Sequence, residues 1–237
     1  MTRTHADYYT EAIDYTKLKV LERFDGAVSG AGHSHHGEVH VVRRVAGYKK
    51  IRYYSHENIG YGPVNLPDLE LHSTAVWWQL PGPLLDAAFA DRSTALDGFL
   101  GAAYALHTVA CLAAMAEPRD LGKAVGSGDA SWFAVVDSRG RGSLLDADGN
   151  AIDPARADAF TPTVFLYDNY PGGIGLSEPL YTRRAELLSR AAALVSACSC
   201  TIGCPACVGP VLGSDEEGRA APKTSAQRVL DLLRAVP

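Results

Sequence analysis

Four of the chain's five cysteines fall within ten residues, in the run CSCTIGCPAC at 198–207, with the pattern C-x-C-x3-C-x2-C. Thiols so closely spaced can fold around one ion, which would bring the segments on either side together. Four thiolates in a tetrahedral set are an ordinary home for zinc. A closed four-sulfur site offers no open coordination position, so it works as a structural staple rather than a catalytic metal. Cys198, Cys200, Cys204 and Cys207 are the candidate ligands. Two other readings stand beside zinc. An iron–sulfur centre also takes four thiolates, although this spacing is not a familiar ferredoxin run. Two disulfides would suit a secreted chain, and this one shows no signal-peptide pattern and only one further cysteine, Cys111. Cys204-Pro-Ala-Cys207 has CxxC spacing without the strand and helix that flank a thioredoxin motif.

At 237 residues the chain is long enough for one sizeable domain or two small ones. Apolar residues make up 47% and charged residues 21%, the usual balance for a globular protein. No apolar run approaches the roughly 20 residues of a membrane span. With 22 basic against 27 acidic residues the net charge is −5, so any contact with a nucleic acid must come from a local patch.

The first third reads as β structure. Candidate strands are 17–24, 37–45, 48–54 and 69–80, and residues 1–7 read as a loose lead-in. A Gly/Ser/His loop is expected at 26–37, with His33, His35 and His36 on it, and a second loop contains Gly60, Gly62, Pro63 and Pro67. A helix is expected from an N-cap at Ser93 to near Glu117, because Leu96, Phe99, Leu100, Ala103, Leu106, His107 and Ala110 follow helical spacing. Residues 132–136 and 142–145 read as a hairpin across 137–140, and 163–167 as a buried strand. A glycine turn at 171–175 leads into a helix capped by Ser177 that runs to the cysteines. A polar loop at 213–222 and a last helix at 224–235 complete the chain. The expected class is α+β: an N-terminal antiparallel or mixed sheet, then a helical part ending in the four-cysteine site. The expected organisation is a single domain, 1–237, mainly β over 1–90, mixed with long helices over 91–197, and zinc cluster and terminal helix over 198–237.

Three further features bear on chemistry. Arg43, Arg44, Lys49, Lys50 and Arg52 place five cations in ten residues beside Tyr48, Tyr53 and Tyr54. Basic groups interleaved with aromatics can follow a phosphate backbone and stack bases; they can equally form a solvated β face. Gly172, Gly173 and Gly175 could offer backbone N–H groups to a phosphate, or simply permit a tight turn. It is no P-loop, since the chain's single Gly-Lys pair, Gly122-Lys123, is followed by Ala124. Asp168 reads as a turn-bracing residue, and His107 with Cys111 as core residues of a helix. Trp77 and Trp78 cannot face one side of one strand, so one of them must be covered by a helix or face a partner. The sequence contains no Gly-x-Ser-x-Gly, no HExxH and no kinase signature.

Several stretches taken together resemble a known module. They are Tyr8-Tyr-Thr with Tyr15-Thr16, GEVHV at 37–41, GYKKI at 47–51, TAVWW at 74–78, ALHT at 105–108, PRDLG at 118–122, FLYDNYPGGIG at 165–175 and the cysteine run. The combination resembles the C-terminal zinc-binding domain of MrfA-type superfamily 2 DNA helicases. The resemblance implies zinc on Cys198, Cys200, Cys204 and Cys207. It implies an ATP-dependent 3′-to-5′ translocase on single-stranded DNA, active in DNA repair, cytoplasmic and nucleoid-associated, with this domain helping to hold or separate strands. ATP would enter only through helicase motor domains, in cis or in trans, because this sequence has no Walker A or DExH motif. A protein–protein interaction subunit of a helicase or phage-defence complex is the alternative.

Overall fold

The computed structural model describes residues 7–55, 57–136, 141–157, 160–209 and 221–234. The lead-in as far as residue 6, the hairpin turn at 137–140, the loop over 213–220 and the helix end at residue 235 lie outside them. The chain forms two compact units: a smaller one of residues 1–16 and 42–70, and a larger one of 17–41 and 71–237.

Two long strands, β1 (Tyr8–Ser29) and β2 (Gly32–Arg52), contribute to both units. The expected histidine loop is therefore not a loop. His33, His35 and His36 lie on β2, and Gly30, with φ +61°, turns the chain between the strands. The small residues that make 26–37 look like a loop are there for another reason. A side chain at Gly32 would collide with the carbonyl oxygen of Gln79, and one at Gly37 with that of Glu22. Close strand approach requires these glycines, whereas composition suggests a flexible segment. The expected strands 37–45 and 48–54 are likewise parts of one strand.

In the smaller unit the end of β2 pairs antiparallel with β3 (Asn58–Pro63), in a register that sets Gly47 opposite Pro63 and Lys49 opposite Tyr61. Gly60, Gly62 and Pro63 thus belong to a strand rather than a loop.

The larger unit adds β4 (Leu69–Gln79), α1 (Gly82–Ala88), α2 (Arg92–Ala114), β5 (Leu121–Gly126), β6 (Trp132–Val136), β7 (Gly142–Asp146), β8 (Ala151–Ile152) and β9 (Thr163–Asp168). Three helices follow: α3 (Ser177–Thr182), α4 (Arg184–Ala197) and α5 (Pro222–Arg234). Strand order is β1-β2-β4-β9-β5-β6-β7-β8. β9 is central, antiparallel to both β4 and β5, with Trp77 opposite Phe165 and Val125 opposite Val164. All six of its residues are buried, which fits its continuous apolar run.

Helix α2 is the core of the larger unit. It begins two residues earlier than Ser93 would allow, because Asp91 caps it: the carboxylate accepts from the Thr94 N–H at 2.7 Å. Its length and apolar character would suffice to cross a membrane, contrary to the sequence reading, but 78% of its most apolar window is buried inside the protein. It packs on α4, α5 and the sheet. Gly98 explains how α5 comes so close: a Cβ there would stand 2.7 Å from the Ser225 carbonyl oxygen. Trp78 joins the helix-covered core with Phe99 and Leu106, whereas Trp77 packs in a second cluster with Leu18, Val39 and Phe165. Both indoles are buried, so neither is left for a partner. Burying each such side chain contributes about 1.5–3 kcal/mol.

Candidate metal centre and its surroundings

Helix α4 ends at Ala197, and Cys198 turns to an extended conformation. This helix does not start from a Ser177 cap as expected. Ser177 instead opens the short α3, and the backbone breaks at Arg183 before α4 begins. Beyond Cys198 the chain folds into a knuckle. The N–H groups of Cys207 and Val208 both donate to the Cys204 carbonyl at 3.1 Å, and Gly203 and Gly209 take positive φ values of 127° and 89°. The knuckle is thereby wound tightly enough to bring all four sulfurs within 4.8 Å of one another.

The sulfur separations are 3.6 Å for Cys198–Cys204, 3.5 Å for Cys200–Cys207 and 3.6 Å for Cys204–Cys207. Ligands at a Zn–S distance of about 2.3 Å in a tetrahedron lie about 3.8 Å apart, so this donor set fits one zinc ion closely. All four cysteines are free thiols, which removes the disulfide reading. The backbone N–H of Cys200, with that residue's thiol, draws the Cys198 thiol down to about 7, while burial pushes Cys207 up to about 12 and also raises Cys200. A bound cation would displace the protons that Cys200 and Cys207 retain.

Neighbouring elements hold the knuckle. Lys223, in the first turn of α5, donates its ammonium to the carbonyl oxygens of Cys198 at 2.6 Å and Cys200 at 2.8 Å, and its backbone N–H to Ile202 at 3.0 Å. Gly209 lies against the Tyr104 ring of α2, where a Cβ would come within 2.9 Å. The site therefore joins α2, α4 and α5. Sequence reasoning missed Lys223, since a lysine at the start of a helix carries no signal of its own.

This arrangement coincides with a known family. The MrfA Zn-binding domain family matches residues 102–208, a span that runs from α2 through the last cysteine. Residues 102–208 are similar to an MrfA Zn-binding domain. Its cofactor is structural zinc. Similarity extends well beyond the domain. An uncharacterized ATP-dependent helicase, YprA of Bacillus subtilis strain 168, is 31% identical over 231 residues, covering 98% of this chain and 26% of the relative. A crystal structure of the DUF1998 helicase MrfA bound to DNA matches with a TM-score of 0.60 at 29% identity, covering 97% of this chain and 26% of that one. An uncharacterized protein, MJ1572.1 of Methanocaldococcus jannaschii, is 40% identical over 45 residues, covering 19% of this chain and 40% of the relative. The chain thus spans about a quarter of the length of the helicases it resembles.

Within the Zn-binding domain, His107 and Cys111 are core residues, as expected. The His107 Nε2 lies 2.7 Å from the Leu121 carbonyl oxygen, and burial raises the Cys111 thiol. Asp168 braces the glycine turn, its Oδ2 accepting from the N–H groups of Ile174 at 2.8 Å and Leu176 at 3.0 Å. Gly172, Gly173 and Gly175 all take positive φ near 80°. Open space surrounds Gly172 and Gly175, whereas a Cβ on Gly173 would stand 2.6 Å from the Thr74 Oγ1. Gly173 is therefore required by packing. The other two are exposed, although the Gly172 N–H is donated to the His72 carbonyl at 2.7 Å.

The basic stretch belongs to the smaller unit and is less uniform than its composition. Arg44 makes a two-pronged ion pair with Asp68, at 2.7 Å on each arm. Arg43 approaches Asp14 at 3.9 Å, and Arg52 pairs with Glu57 at 2.9 Å. Lys49 and Lys50 have no carboxylate partner among the described residues, although the Lys50 ammonium lies over the Tyr8 ring at 5.4 Å. Tyr54 is fully exposed, and the Tyr53 ring is tilted 43° against Tyr9 with ring centres 5.5 Å apart.

Proposed function

We propose that this chain is the zinc-stapled accessory part of an ATP-dependent 3′-to-5′ DNA helicase acting in DNA repair, and that it holds or guides single-stranded DNA. Zinc would sit on Cys198, Cys200, Cys204 and Cys207 and fix the knuckle to three helices, while the chain's own side chains meet the DNA. Lys49 and Lys50 are the cations free to pair with phosphates. Arg43, Arg44 and Arg52 shape the same strand but share their charge with carboxylates. Gly172, Gly173 and Gly175 form the second contact; Gly172 and Gly173 already donate to the His72 and Tyr170 carbonyls, which leaves Gly175 to meet the DNA backbone. ATP turnover belongs to motor domains joined in cis or supplied in trans, in the cytoplasm at the nucleoid. The observation that carries this reading is the match of nearly the whole chain to a helicase crystallised with DNA.

The test is a titration of fluorescent single-stranded DNA at several salt concentrations. Each phosphate contact on a single strand lowers the slope of log affinity against log salt by about 0.7. The Lys49→Glu/Lys50→Glu pair should weaken binding and flatten the slope by about 1.4. Unchanged binding would remove the two lysines from the interface.

A further inference from the structure

The larger unit contains a cleft of about 630 Å³ beside the glycine turn, a volume typical of sites for small ring-shaped ligands. A file of flat side chains runs into it. The Arg184 guanidinium lies 4.5 Å over the Tyr181 ring, Tyr181 stacks on His36 with centres 5.9 Å apart and planes 23° apart, and His36 meets the edge of Phe24 at 5.6 Å. Tyr181 is buried, but Phe24 at the other end is 53% exposed, so the file ends in an uncovered aromatic face.

The polar groups are tied down behind this file. Ser177, almost wholly buried, donates to Thr74 at 2.7 Å and lies 3.2 Å from the His36 Nε2. This chain fixes the imidazole. The carboxylate of Asp168 is fully buried, and its Oδ1 has no partner among the described residues. At the rim are Asp25 and Glu178. Asp25 already accepts from the Gly26 N–H at 2.7 Å, whereas the exposed Glu178 carboxylate accepts no hydrogen bond among the described residues. With Arg184 as the single cation against Asp25 and Glu178, the cleft away from its Gly175 edge disfavours a phosphate. It suits a flat ring that carries N–H donors.

We infer that the cleft seats one unstacked nucleobase, packed on Phe24, with its exocyclic amine donating to Glu178. Cytosine and adenine present such an amine and thymine does not; a carboxylate accepting from the cytosine amine is a known form of base reading. Stacking on an aromatic serves any base, so the preference would come from Glu178 alone. This inference rests on the DNA-binding reading and adds a base preference that the lysines and the glycine turn cannot supply.

The experiment compares binding of oligo-dC, oligo-dA and oligo-dT to the whole chain, with deoxycytidine and deoxythymidine monophosphates titrated separately. The expected result is several-fold tighter binding of oligo-dC and oligo-dA than of oligo-dT. The preference should vanish in Glu178→Gln, and all three affinities should drop roughly ten-fold in Phe24→Ala. Phe24→Trp should retain binding, which separates stacking from folding. Equal affinity for all three oligomers, with no effect of Phe24→Ala, would overturn the base seat and leave the cleft to another occupant, such as an arginine of a partner protein. The DNA-binding reading would survive that result. Binding of deoxycytidine monophosphate without any oligomer binding would retain the seat and overturn the DNA-binding reading. Failure of every ligand would overturn both.

Discussion

The ammonium of Lys223 donates to the carbonyl oxygen of Cys198 across 25 residues of chain, at 2.6 Å. With the bond to Cys200 it ties the start of α5 to both ends of the C-x-C step. A four-thiolate zinc site carries a net charge of −2, so a cation beside it also offsets charge. Lys223→Met removes both charge-assisted bonds, and the expected cost is about 1–3 kcal/mol. A urea denaturation midpoint equal to wild type would show that the clamp contributes nothing.

Loss of a ligand should act on folding rather than on any chemical step. Cys204→Ser is expected to lower zinc content well below one per chain and to broaden or abolish the thermal transition. Cys111→Ser should retain its zinc, because Cys111 lies on α2 outside the knuckle. Elemental analysis of the two variants side by side decides between them. Full zinc in Cys204→Ser would remove that residue from the ligand set.

Gly98 sets two effects against each other. Alanine is the better helix former by about 1 kcal/mol. Its Cβ, however, would stand 2.7 Å from the Ser225 carbonyl oxygen and 2.9 Å from the Val229 side chain, with backbone on one side and a β-branched residue on the other. Overpacking of this kind costs about 1–3 kcal/mol, so the clash should prevail and Gly98→Ala should lower the melting temperature. A rise would mean that α5 moves away freely.

Acid should weaken the fold through His107. Burial first, and then the charge of Lys123, hold its pKa below the ordinary 6.5. The unfolded chain takes up this proton near 6.5 and the folded chain only at lower pH. Stability is therefore unaffected by His107 above that value and falls as pH drops through the window beneath it. His35 and His36, both lowered chiefly by burial, add the same sign. Melts over a pH series should be flat from about pH 8 to about pH 6.5 and then decline, less steeply in His107→Gln. A melting temperature that rises on acidification would contradict this.

The cysteine knuckle, the buried strand at 163–168 and the long helix were legible because each depends on a local pattern: ligand spacing, an apolar run and a 3.6-residue period. What stayed hidden depends on distant neighbours. Gly32 and Gly37 read as loop residues because only the strands they press against reveal why no side chain fits. Trp77 and Trp78 both found cover because β4 is buried on both sides, which no single strand announces. The short β5 pairs with β9, about forty residues on, and has little pattern of its own. The five basic residues formed one cluster in sequence, yet Asp14, Asp68 and Glu57 divide them in space.

The central position of β9 also governs the order in which this protein can be made. β4 and β5 are synthesised first, but the strand that lies between them ends only at Asp168. Until the ribosome has released that segment, two apolar strands wait with open edges, and such edges invite pairing with other chains. The zinc knuckle follows about thirty residues later, at Cys198, so metal capture can come only after the sheet has been completed or lost. A nascent chain stalled before Thr163 should therefore depend on a chaperone, while one stalled after Cys207 should depend on zinc.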